Sequence, residues 1–107
     1  MAFYRAAIGG GGGSISPTIQ WAGRLTRNTS HTETISTSKS YILVMSINYN
    51  TTYNPNSQKI YKLVNGTLTL MQSDSGLTGF SASLSGTTLT VSSTAGAGIS
   101  CTLIKLD

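Results

Sequence analysis

Residues 58–72 read QKIYKLVNGTLTLMQ, and this stretch decides the fold. Asn65-Gly66 is the favoured pair for a two-residue type I′ turn, in which both central residues need positive φ. A turn there pairs Val64 with Thr67, Leu63 with Leu68 and Tyr61 with Leu70. Tyr61, Leu63, Leu68 and Leu70 then share one face, while Lys62 and Thr69 point the other way; only this register separates them so. The chain therefore contains an antiparallel hairpin with one apolar face.

The same reasoning extends to FSASLSGTTLTV, residues 80–91. With the turn at Ser85-Gly86, Phe80 faces Val91, Ala82 faces Leu89 and Leu84 faces Thr87, and the serines, Thr88 and Thr90 point outward. Such alternation describes strands buried on one side and wet on the other. Four further segments read as strands. TIQWAGRLT (18–26) sets Ile19, Trp21, Gly23 and Leu25 on one face, and TETIST (32–37) is a short edge strand. SYILVMSINY (40–49) is apolar on both faces from Tyr41 to Met45, the mark of a central strand, and ISCTLIKL (99–106) is partly so. About eight short strands without helical periodicity predict an all-β chain. The expected architecture is an antiparallel β-sandwich of jelly-roll or immunoglobulin-like connectivity.

Composition agrees. Ser and Thr supply 32 of the 107 residues and only ten side chains are formally charged, which suits a sheet surface covered by hydroxyls better than a disordered chain. Gly9 to Gly13 is an unbroken glycine run; it divides residues 1–13, a leader and tether, from a β-domain over 14–107. MAFYRAAI is too short for a signal peptide and is interrupted by Arg5, and no apolar run approaches the length of a membrane span. The expectation is synthesis in a cytoplasm without membrane insertion.

The net charge is +4, but Arg5, Arg24, Arg27, Lys39, Lys59, Lys62 and Lys105 are dispersed. Nucleic-acid binders cluster such residues, so no nucleic-acid partner is expected. Cys101 is the one cysteine and reads as a buried small hydrophobe. Glu33, Asp74 and Asp107 are the only acidic residues; Glu33 falls in the edge strand and Asp74 in a turn. His31 is the one histidine and lies in Asn-Thr-Ser-His-Thr, read as a solvent-exposed polar turn. These groups offer neither a paired-carboxylate centre nor a metal set, and Ser-Ile-Ser-Pro after the glycines lacks the Lys and helix of a phosphate cradle. A non-enzymatic protein without cofactor or metal is expected.

Two places remain as candidate interaction sites. The connection 47–58 carries Tyr49, Asn50, Tyr53 and Asn54, a mixture of rigid rings and amides suited to recognising sugars. In the leader, Phe3, Tyr4, Arg5 and Ile8 are candidates for docking on a partner; each of the three apolar ones is worth about 1.5–3 kcal/mol if buried. The leader either adds a strand to the sheet of its own or a neighbouring chain, or folds back on its own body.

MAFYRAAIGGGGGS ahead of a Ser/Thr-rich sandwich ending in SCTLIKLD, with SYILVMSINYN before a loop, resembles small tail-region and other virion proteins of bacteriophages and prophages. The resemblance spans the chain and implies a symmetric structural component, a homo-oligomer bound to other virion proteins. A tail or tail-tip place with host-surface recognition is preferred; a capsid decoration protein and a free carbohydrate-binding module are the alternatives.

Overall fold

The computed structural model describes residues 16–47, 58–73, 79–94 and 98–107. Its regular structure is β throughout: β1 (Thr18–Leu25), β2 (Thr29–Thr34), β3 (Tyr41–Ile47), β4 (Gln58–Val64), β5 (Thr67–Ser73), β6 (Phe80–Ser85), β7 (Thr88–Ser93) and β8 (Ile99–Lys105). They form two antiparallel sheets, one of order β1-β8-β3-β4-β5 and one of order β2-β7-β6. The chain crosses between the sheets after β1, β2, β5 and β7, and β8 returns to lie between β1 and β3.

Between the sheets lies a core of alternating residues. Met45, Ile99 and Leu103 have no exposed surface, and Tyr41, Leu43, Leu63, Phe80, Leu89 and Val91 have almost none. Cys101 is buried among them, and desolvation pushes its thiol up to about 11, as expected of a cysteine serving as a small apolar filler. β3, read as central from its doubly apolar sequence, is paired on both sides, by β4 and β8.

The β4–β5 hairpin has the expected register, with Val64 opposite Thr67, Leu63 opposite Leu68 and Tyr61 opposite Leu70. Asn65 (φ 52°) and Gly66 (φ 74°) both occupy the left-handed region, as a type I′ turn demands. Leu70, however, is 48% exposed. The register shifts between Ile60 and Tyr61, leaving Met71 as an extra residue on edge strand β5, and a bulge turns an edge away from its neighbours.

The β6–β7 hairpin corrects the sequence reading by two residues. Phe80 faces Ser93, Ala82 faces Val91, Leu84 faces Leu89 and Ser85 faces Thr88, so the turn pair is Gly86-Thr87. Gly86 alone takes positive φ, +61°, the requirement of a type II′ turn with glycine first. A turn at Ser85-Gly86 would have put a serine in the left-handed region, which costs an L-residue about 1–2 kcal/mol. A two-residue slip keeps every side chain on its own face, so apolar alternation cannot detect it.

Two further expectations move. β1 carries a bulge at Gln20, where Ile19 faces Ile104 and Trp21 faces the next residue back, Leu103. Ile19 therefore leaves the face of Trp21 and Leu25 and is 63% exposed. The expected edge strand over 32–37 is β2, three residues earlier, and it is an edge; Ile35 lies just beyond it, buried and bonded through its N–H to the Thr87 carbonyl.

Candidate functional site

Edge strands β1 and β2 meet along one open side of the sandwich, and the chain seals that side with polar groups. His31 and Glu33 stand opposite Val91 and Leu89 on β7, so both point inward, not into solvent as expected for His31. The His31 ring stacks on the Trp21 indole, centroids 4.0 Å apart and planes 10° from parallel. Its Nε2 lies 2.6 Å from Glu33 Oε2, and Gln20 donates from Nε2 to Glu33 Oε1 at 2.9 Å and to the Thr34 carbonyl at 2.9 Å. Burial raises the Glu33 carboxyl, but the hydrogen bonds from Gln20 and His31 and the charge of His31 together hold it below its ordinary value. Gly23 permits this packing, because a Cβ there would lie 2.9 Å from Cζ2 of Trp21.

The opposite open side is closed by β4. Thr94 donates its N–H to the Gly79 carbonyl, so in the antiparallel ladder Phe80, Ala82 and Leu84 turn their backbone groups toward the free edge of β6. Lys59 donates from Nζ to the Phe80 carbonyl at 2.6 Å while lying 5.0 Å from the Phe80 ring centre, and the Ala82 N–H donates to the Tyr61 hydroxyl at 3.2 Å. By the same parity the Thr34 carbonyl belongs to the free edge of β2, and Gln20 occupies it. Thus side chains from the large sheet engage both edges of the small one, and bulges disrupt both edges of the large one. Exposed edges invite strand addition; these four are blunted against it.

That leaves the faces. On the outer side of the large sheet one cross-strand row runs Ile19, Ile104, Ile42, Lys62, Thr69 and the next runs Ala22, Thr102, Val44, Ile60, Gln72. Ile104, Ile42, Val44 and Ile60 are half-buried beside the exposed Ile19. They form a contiguous aliphatic patch flanked by Lys62 and Arg24 with no carboxylate on that face among the described residues. The doubly apolar reading of β3 carried this signal: in a two-layer sandwich a strand cannot bury both faces.

The sheet also has two distinct poles. Thr18 stands level with Lys105, Tyr41 and Leu63, beside the Asn65-Gly66 turn, whereas Ile47 and Gln58 stand level with Ile99 and Ser46 at the far end. The chain enters β1 at one pole, and the stems of the 47–58 connection emerge at the other, about 20 Å away along β3. Tyr49, Asn50, Tyr53 and Asn54, and Phe3, Tyr4, Arg5 and Ile8, lie outside the described residues, as does Asp74. Among the described residues, no group of three or more His, Cys, Asp or Glu is arranged to hold a metal.

No protein-family model, curated protein or solved structure matches this chain.

Proposed function

We infer that this chain acts by association: a non-enzymatic structural protein of a bacteriophage virion, held in a symmetric homo-oligomer among other virion proteins. In this reading it sits in the tail or tail tip. The separation of the poles supports the reading best. A leader entering at Ser16–Pro17 anchors one end, and a connection whose stems are Ile47 and Gln58 is displayed at the other, where Tyr49, Asn50, Tyr53 and Asn54 would meet a host-surface glycan. The blunted edges and the aliphatic outer face of the large sheet favour assembly through a face.

The phage assignment itself rests on the resemblance of the leader, the glycine run and the Ser/Thr-rich body. It is tested by electron microscopy of particles released from the source strain, labelled with an antibody against this chain. Label at the tail is the expected result; label over the shell would favour a decoration protein, and unlabelled particles would overturn the assignment.

A further inference from the structure

We propose that the aliphatic outer face of the large sheet is the seat for residues 3–8 of a neighbouring copy's leader, so that each subunit clasps the next. The inference rests on the associative reading above and supplies its contact. Leader docking by strand addition is opposed by the bulges at Gln20 and Met71 on the two edges of this sheet and by the side chains bonded to the edges of the other. A face remains, and this one is apolar.

The segment and the seat correspond in chemistry and size. In an extended conformation Tyr4, Ala6 and Ile8 share one side, and Phe3, Arg5 and Ala7 share the other. Arg5 would thereby stay in water, clear of Lys62 and Arg24 on a face that already carries two cations. Alternate residues from Tyr4 to Ile8 span about 13 Å, and the patch from β8 across β3 to β4 covers two strand spacings, about 10 Å. The nine residues from Gly9 to Pro17 allow at most about 30 Å when fully extended, enough to cross to another molecule.

The exit direction selects a neighbour over the chain's own body. Pro17 fixes its own φ and biases Ser16 toward extended backbone. That bias keeps Ser16 and Pro17 in line with β1, leading away from the sheet at the Thr18 pole. Such head-to-tail contact closes into a ring or continues as a filament.

Cysteine trapping tests this with the full-length chain. Ala6→Cys chains are mixed with Thr102→Cys chains of different mass, since Thr102 lies on the outer face between Ala22 and Val44. The buried Cys101 thiol, pushed up to about 11, does not compete. Under mild oxidation a mixed disulfide dimer is expected, at least tenfold above the yield with Thr32→Cys, which sits on the outer side of β2. Equal yields for Thr102→Cys and Thr32→Cys would overturn the seat. In a double Ala6→Cys/Thr102→Cys chain, a predominantly intramolecular link would overturn the choice of a neighbour. An oligomer without any Thr102 link would refute the clasp and leave assembly standing; a chain that stays monomeric would remove both.

Discussion

The turn between β6 and β7 gives the sharpest stability prediction, because sequence and structure place it differently. Gly86 has φ of +61°, and a Cβ built there meets nothing within 4 Å. Gly86→Ala is therefore a pure backbone perturbation without a packing contribution. The left-handed region costs an L-residue about 1–2 kcal/mol, and restricting the unfolded chain returns about 0.4–1 kcal/mol. The net loss is about 1 kcal/mol, which lowers Tm by about 4–8 °C in a domain of this size. Ser85→Gly supplies the sign test. Ser85 is a strand residue opposite Thr88, so glycine there should destabilise by about 0.5–1 kcal/mol. Were Ser85 the first turn residue, with positive φ, the same change would stabilise. Thermal unfolding of both variants by circular dichroism decides; a higher Tm for Ser85→Gly would refute the register.

Three other consequences are open to direct measurement. Glu33→Gln should lower stability at neutral pH. Because the Glu33 carboxyl is held below its ordinary value, its contribution is present above about pH 4.5 and disappears as pH falls through the folded-state value; the Tm gap between wild type and variant should close on acidification, and a constant gap would contradict the pairing. Gly23→Ala should displace the Trp21 indole, the one tryptophan of the chain, shifting its emission to the red and lowering Tm; unchanged emission would mean that the ring does not rest on Gly23. Tyr61→Phe should cost about 1 kcal/mol by leaving the Ala82 N–H without its acceptor, and amide exchange at Ala82 should accelerate well beyond that at Val91.

How far the fold was legible depended on which physical signal each element offered. Asn65-Gly66 has two residues that tolerate positive φ, and the flanking alternation agrees with that turn, so the register of β4–β5 was readable to the residue. At Gly86 only one residue of the candidate pair tolerates positive φ; alternation has period two and is blind to a slip of two. The bulges at Gln20 and Met71 depend on how an edge strand meets its single neighbour, and no local pattern in TIQWAGRL or TLTLMQS announces them. His31 looked like a turn residue because its neighbours are all polar. Glu33 lies two residues on in the same strand, but Trp21 becomes a neighbour of His31 only once β1 and β2 lie in opposite sheets. The outer aliphatic face was present in SYILVMSI, whose double apolarity was read as centrality; it is both central and uncovered by any other described element. The tyrosines and asparagines of 47–58 and the leader were legible as chemistry alone.

In the proposed assembly, copies of this chain associate through the outer face of the large sheet. Light scattering of the full-length wild type beside Val44→Lys and Thr90→Lys tests it most directly. Val44 lies in the middle of the aliphatic patch, and Thr90 lies on the outer side of the small sheet. Both variants add one positive charge at an outward-facing strand position, so only the face differs. The expected result is an oligomeric wild type, an oligomeric Thr90→Lys and a folded, monomeric Val44→Lys. A folded Val44→Lys with the mass of the wild-type oligomer, or a monomeric wild type, would contradict the claim.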